Sequence, residues 1–420
     1  MATTLASPHQ SILGDQVNET RGIAASVRRL LELSGQELAV ISIYLIATGL
    51  FRASQNAAQT TMPLIGHDLL GIGVTKIGLL ATIWGGASVV TNLTIASLKR
   101  AHRSIFIVGL GAFPFGILAV VLSRTYFELI AAVLLLAISG GIVMPALASS
   151  SASLGTVSSK RGAVAFTVAL SLSLAIGPLI EAGALHLSHD SLRMALAAFI
   201  PLAAIGSVLG ISKLGRVDPQ SVEKSSKGTT AYVLFRERGF RDAVFSLALY
   251  QFPFVAIISF AAILARSRFG SSAAFSQEAL TLFFLVSFLS RAFLLLHPTK
   301  DKDIEWLRAS AIFTIVGIVI IGIASSSIWY VVAMILLGVP HGLTYPLALN
   351  LLNETAEPQQ LAKGNSILSA TTGMISLAGP FVIGLLSARF GISTMFLLMV
   401  VPTLLFSAPL FVRRNIGSLL

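Results

Sequence analysis

Arg52, Gln55, Asn56 and Gln59 are the residues of this chain with the clearest binding chemistry. They interrupt an apolar run that continues to Pro63, and at about 100° per residue they fall within an arc of roughly 100° on one helix face. A helix that enters a bilayer near Val40 carries Arg52 about 18 Å inward at 1.5 Å per residue, close to the midplane. A guanidinium facing lipid there costs at least about 2.5–3.5 kcal/mol, so it must face protein or water. Two readings stay open. The Arg and the amides bond neighbouring helices and hold a bundle together, or they form the polar wall of a solvated central cavity. In the second case the guanidinium would pair bidentately with a carboxylate or phosphate.

Other polar residues within apolar runs belong to the same question. A shift of 199 residues aligns Gly71 with Gly270 and sets Arg52 opposite Gln251, so Tyr250 and Gln251 are candidates to line a cavity from the other half. Neighbours sit about 100° apart, so one of the two is expected to point inward. His341, Thr344 and Tyr345 share a face of the tenth run at helical spacing. His341 has the chemistry to exchange a proton near neutral pH, or to serve as a hydrogen-bonded packing residue. Asn350 and Asn353 read as interhelical bonds. Arg52 stands as the one unambiguous mid-membrane cation, with Arg291 near the end of the eighth run. Glu181 is the only carboxylate well inside a run. It lies about 28 Å from Gly162 along its helix, which places it near the outer interface.

These residues need long apolar elements to position them, and the composition supplies them. The chain has 420 residues, 55 % hydrophobic and only 11 % charged. A soluble protein carries about 25 % charged residues, so this is a polytopic membrane protein. Apolar runs of membrane length recur at about 40–62, 75–96, 104–123, 127–148, 162–186, 192–212, 243–265, 279–297, 308–326, 328–350, 364–387 and 392–412. The expected organisation is an N-terminal tail at 1–37, a six-helix bundle at 38–212, a polar central loop at 213–242, a second six-helix bundle at 243–413 and a C-terminal tail at 414–420. The net charge of +11 comes from Lys and Arg between the runs, so it reports topology and not nucleic acid. With both termini cytoplasmic, only Lys76, Arg124, Arg193, Arg266, Arg268 and Arg389 fall in outer loops, which sets the orientation. Cysteine is absent, which excludes disulfides and thiolate metal sites. There is no phosphate-binding loop, no His-Glu-x-x-His and no Gly-x-Ser-x-Gly, so neither an enzyme nor a cofactor is expected.

The two halves repeat each other. Gly141-x-x-x-Pro145, Arg161-Gly162 and Gly177-Pro178 recur as Gly342-x-x-x-Pro346, Lys363-Gly364 and Gly379-Pro380, each pair 201 or 202 residues apart. In register, these pairs point to a duplicated six-helix unit whose interface carries the site. The paired positions, the basic central loop and the stretch 338–391 resemble the major facilitator superfamily over residues 38 to 413. That family's loop between helices two and three carries Gly, Asp and basic residues. Here Lys99, Arg100 and Arg103 keep the basic residues as gating-loop candidates, while the Asp and Gly positions are replaced. The resemblance implies an all-α membrane protein of twelve transmembrane helices in two pseudo-symmetric bundles.

What the resemblance implies of function is a secondary transporter in the cell membrane, acting as a monomer by alternating access around a midplane cavity. Its substrate is expected to be a small organic anion or polar metabolite, bound by Arg52, Gln55, Asn56, Gln59, Tyr250, Gln251, His341 and Tyr345. An ion gradient, with protons as a candidate partner, would drive it. Glu181 is the proton-coupling candidate, since coupling needs a carboxyl that is protonated when occluded and ionised when open to water. Its depth favours a plain outer-vestibule residue. The alternatives are efflux of amphipathic, drug-like compounds and a non-transporting receptor on the same fold.

Overall fold

The computed structural model describes residues 35–97, 103–150, 159–213, 231–297, 302–357 and 360–412. Twelve helices among them are long and apolar enough to cross a membrane. In the first half they are α1 (Gln36–Leu69), α2 (Val74–Ile95), α3 (Arg103–Leu122), α4 (Tyr126–Ala148), α5 (Phe166–Leu187) and α6 (Leu192–Ile211). In the second they are α7 (Arg238–Phe269), α8 (Ala273–Leu296), α9 (Asp303–Ile323), α10 (Ser327–Thr355), α11 (Lys363–Phe390) and α12 (Ile392–Phe411). Large apolar side chains such as Phe127, Leu187 and Leu295 are exposed on the bundle surface. In water these would be a liability, whereas against lipid they cost nothing. We call the side that carries the α1–α2, α5–α6 and α7–α8 turns the odd-loop face, and the opposite side the even-loop face.

Two helices outrun their apolar stretches. α1 continues past Pro63 through a π-turn at Ile65–Leu69, and α7 contains a π-turn at Ile257–Ala261. α7 also begins at Arg238, inside the polar segment 213–242, because Arg238, Arg241 and Asp242 form a polar first turn that hydropathy alone does not count. A short helix, Ala231–Arg236, precedes it. Both α1 and α7 end at a glycine in the left-handed region, Gly71 at φ 62° and Gly270 at φ 63°. These are the two glycines that the 199-residue shift pairs, so the repeat extends to backbone conformation.

The internal duplication is a duplication of contacts. α1 packs on α5 and α6, α2 on α4, and α3 on α4 and α6. In the second half α7 packs on α11 and α12, α8 on α10, and α9 on α10 and α12. Gly141 of α4 lies against Ser88 and Thr91 of α2, and Gly342 of α10 lies against Ser287 and Ser290 of α8. Each pair of partners is again 199 residues apart. Small residues let these helices approach to backbone contact. Gly342→Ala would drive a methyl into the Ser287 carbonyl. It should destabilise the protein by about 1–3 kcal/mol, the usual cost of overpacking. Gly49→Ala, where a methyl meets nothing, should be neutral or stabilising by about 0.5–1 kcal/mol. Thermal unfolding in one detergent compares the two.

The halves meet along two seams, α2 against α11 and α5 against α8. The first seam is made of small residues. Gly78 packs on Pro380 and Gly384, and Gly85 on Ser376. The second carries polar groups, including Glu181, Ser171, Gln277 and Arg291. This asymmetry between otherwise equivalent seams is where the chemistry lies.

Candidate functional site

A cavity of about 720 Å³ lies between the halves, walled by α1, α2, α4 and α5 on one side and α7, α8, α10 and α11 on the other. Pockets of about 300–1,000 Å³ suit small molecules. Met62, Pro63, Ile258 and Pro380 line its end toward the odd-loop face. Toward the even-loop face it continues past Met144, Phe166 and Tyr345, the last 48 % exposed.

Arg52, Asn56 and Gln59 all line this space, as do Tyr250, Gln251, His341, Thr344 and Tyr345. The helical spacing on α1 therefore marks a cavity face, with one exception. Gln55 is buried behind the wall, where its Oε1 accepts a 2.7 Å hydrogen bond from the Arg52 guanidinium. Its amide lies against Gly140 of α4. The repeat explains this placement. Gln55 corresponds to Phe254, and Gly140 to His341, and in the second half those two stack at 4.4 Å and 15°. Tyr250 and Gln251 both reach the cavity, against the expectation that only one would. Tyr250 is otherwise buried, while the Gln251 amide donates to Ser376 Oγ at 3.0 Å. Asn350 and Asn353, expected to bond between helices, are exposed.

A second cation shares the cavity. Arg291 of α8 donates to Ser171 Oγ at 2.8 Å and to the His341 carbonyl at 3.2 Å. Sequence reasoning missed it as a site residue because it lies close to the end of its apolar run, where a membrane Arg commonly reaches for the interface. Here the side chain turns inward onto α5 and α10. So Arg52 is not the only cation inside. All of the acceptors that hold Arg52 and Arg291 are neutral, and no Asp or Glu among the described residues lines the cavity. The wall is otherwise amides, hydroxyls and a broad apolar surface that includes Trp84, Phe166 and Phe254. Tyr250 and Phe254 on the wall, with Phe283 and Phe284 behind it, surround the His341 ring. This aromatic packing clamps α10 onto α7 and fixes the carbonyl that receives Arg291.

Glu181 is not a vestibule residue. It is 0 % exposed, enclosed by α1, α5 and α8. Thr60 and Thr61 of α1 contact its two oxygens, and the Gln277 amide donates to Oε1 at 3.2 Å across the seam from the other half. The first turns of α8, which begins at Ala273, cover it.

Above Glu181 the odd-loop face is tied shut between the halves. Asp190, in the α5–α6 turn, accepts from the Ala273 and Ala274 amides at 2.9 and 3.0 Å and from Arg266 at 3.0 Å. It thus caps α8 from the opposite half, filling backbone donors that a helix start leaves free. Arg266 also pairs with Asp68 at the end of α1, and Asp68 pairs with His67 at 2.6 Å. Burial disfavours the Asp190 carboxylate, but the two amides and Arg266 outweigh it and hold its pKa below the ordinary value. Of the gating-loop candidates, Arg103 opens α3 and is exposed, while Lys99 and Arg100 lie outside the described residues.

Two six-helix repeats thus enclose one cavity of mixed polar and apolar lining, the architecture of a repeat-built membrane fold. The family model of the Major Facilitator Superfamily matches residues 44–297 and 301–418, and the chain belongs to that superfamily of membrane transporters. No curated protein matches it by sequence. Among solved structures, a bacterial homologue of the human lysosomal transporter Spinster, in an inward-facing and unoccupied conformation, is similar at TM-score 0.71. It is 14 % identical, over 90 % of this chain and 97 % of that one. The nucleoside transporter NupG is similar at TM-score 0.70 with 14 % identity, over 89 % of this chain and 100 % of that one. The human organic anion transporter MFSD10 is similar at 0.62 with 15 % identity, over 88 % and 98 %. At these identities the likeness establishes the fold.

Proposed function

We propose that the chain is a secondary active transporter that moves a small organic anion by alternating access. The observation that carries this reading is the pair of guanidiniums on the cavity wall with no carboxylate facing them. Burying a cation without a counter-charge costs several kcal/mol, and a bound anion removes that cost. Arg52 would grip the solute, with Asn56, Gln59, Gln251 and Tyr345 as neutral hydrogen-bond partners, and Gln55 would position Arg52 from behind. Tyr250 and His341 would act by fixing Arg291 and the apolar wall. The resemblance to the organic anion transporter MFSD10 agrees with this class of cargo without setting it.

The even-loop face would be cytoplasmic, in the cell membrane, because the basic residues between helices concentrate there. Lys99, Arg100 and Arg103 would contribute to closing that face. Glu181 is the candidate for proton coupling, since it would lose Gln277 and meet water when the odd-loop seam opens. A second reading, efflux of amphipathic compounds, is favoured by the apolar part of the wall around Trp84, Phe166 and Phe254.

The test is a thermal-shift screen of purified protein against anionic, neutral and cationic solutes, because a ligand of the folded state raises apparent stability. Anions should dominate the hits. For the best hit, Arg52→Lys should bind at least about tenfold more weakly, roughly 1.4 kcal/mol, because an ammonium lacks the planar fork. Arg52→Ala should lose more, and should abolish uptake into proteoliposomes. Wild-type affinity in both variants would refute the anion site and leave Arg52 a purely structural residue.

A further inference from the structure

The arrangement of the two arginines says more about the cargo than its sign, and this step rests on the anion reading above. α1 and α5 run parallel, with Ala53 packed on Gly177 and the Thr60–Thr61 pair on Glu181. Asn56, one turn beyond Arg52, reaches the Leu174 carbonyl at 3.1 Å. Leu174 is one turn beyond Ser171, the residue that holds Arg291. Arg52 and Ser171 therefore lie within about two helical turns of each other in depth. Both arginines line the one cavity, Arg52 from the first half and Arg291 from the second.

Their hydrogen bonds leave both with spare capacity. A guanidinium has five N–H donors. Arg52 spends one on Gln55, and Arg291 spends two, on Ser171 and the His341 carbonyl. Neutral acceptors orient the two groups without cancelling their charge. Enclosing a cargo with one negative charge would leave the second guanidinium uncompensated in a low-dielectric space. A cargo with two negative charges balances the site. Held by one arginine from each half, it would also draw the halves together.

We propose that the cargo is a divalent anion, such as a phosphate monoester or a dicarboxylate, bound by Arg52 and Arg291 together. The apolar wall beside them accommodates an organic body of modest size.

Two probes of similar shape and different charge test this. Phenyl phosphate is a dianion at pH 7.5, since a phosphate monoester loses its second proton near about pH 6. Benzenesulfonate is a monoanion at every relevant pH. The expected result, by calorimetry on purified protein, is that wild type binds phenyl phosphate at least about tenfold more tightly, roughly 1.4 kcal/mol. Arg52→Gln and Arg291→Gln should each reduce that preference to within about threefold. If either variant fails to fold, the wild type alone decides by pH. Between pH 7.5 and 5 its affinity for phenyl phosphate should fall about tenfold while that for benzenesulfonate stays level. Equal binding of the two probes, or a preference that survives loss of either arginine, overturns the divalent assignment but leaves an anion site standing. If neither these nor any other anion binds, the anion reading falls and this inference falls with it.

Discussion

Asp190→Ala should open the odd-loop face. The side chain holds three inter-half hydrogen bonds, two to the α8 backbone and one to Arg266. Hydrogen bonds to charged groups contribute about 1.5–3 kcal/mol each when buried. Asp190 is partly exposed, so solvent screening reduces that figure. Even about 1.4 kcal/mol shifts a two-state equilibrium tenfold. Ala261, in the π-turn of α7, is fully buried, and the chain has no cysteine of its own. A single Ala261→Cys therefore reports opening by its rate of thiol labelling. The expected rise on adding Asp190→Ala is at least about tenfold, and Arg266→Ala, which frees both Asp68 and Asp190, should act in the same direction.

The sign of the pH effect follows from the lowered pKa of Asp190 in the closed state. A carboxylate held below its ordinary value, about 3.9, stabilises closure fully above that value. The contribution is lost only as pH falls through the lowered value. Between about pH 5 and 8 the Asp190 contribution should be constant. A labelling rate that stays low in Asp190→Ala would mean that the remaining ties between the halves hold the face shut without Asp190.

How much of this could be read from the chain depends on what each residue signals locally. Arg52 stood out because a charge and three amides at helical spacing mark one face of an apolar run, although the spacing alone left open whether that face bonds neighbouring helices or lines a cavity. The Gly and Pro pairs were legible because duplication preserves spacing, and they resolve into matching contacts, Gly141 on Ser88 and Gly342 on Ser287. Gln55 was misplaced because the sequence carries no mark that Gly140 leaves a slot behind the wall for its amide. Arg291 was overlooked for the opposite reason. Its position near a helix end has an ordinary explanation, and only Ser171 and His341, more than a hundred and fifty residues apart, reveal which way it turns. The Asp190 cap was invisible for a related reason. Helix starts advertise their own cap, here Ser272, which accepts from Phe275. A carboxylate supplied from another half leaves no local pattern.

Glu181 is the site where sequence and structure together change the expectation, and Glu181→Gln tests it most sharply. The sequence placed the carboxyl near the outer interface and favoured a plain vestibule residue over a coupling one. The structure encloses it between Thr60, Thr61 and Gln277, the last from the opposite half. Each threonine hydroxyl has one proton to give and more than one acceptor in reach: Thr60 meets the Asn56 and Ala57 carbonyls and Glu181, and Thr61 meets the Ala57 carbonyl and Glu181. A buried carboxyl that carries a proton satisfies this network without an uncompensated charge. An amide has similar shape and hydrogen-bonding capacity but cannot exchange that proton. Glu181→Gln should therefore fold and close like wild type. If Glu181 carries the coupling proton for the proposed anion, Glu181→Gln in proteoliposomes should abolish pH-gradient-driven accumulation while sparing anion-for-anion exchange, which moves no net proton. Glu181→Ala should instead lower stability by about 1–3 kcal/mol, the cost of leaving buried polar partners unmatched. Undiminished uphill accumulation in Glu181→Gln would remove this residue from coupling and leave it as a polar clasp between the halves.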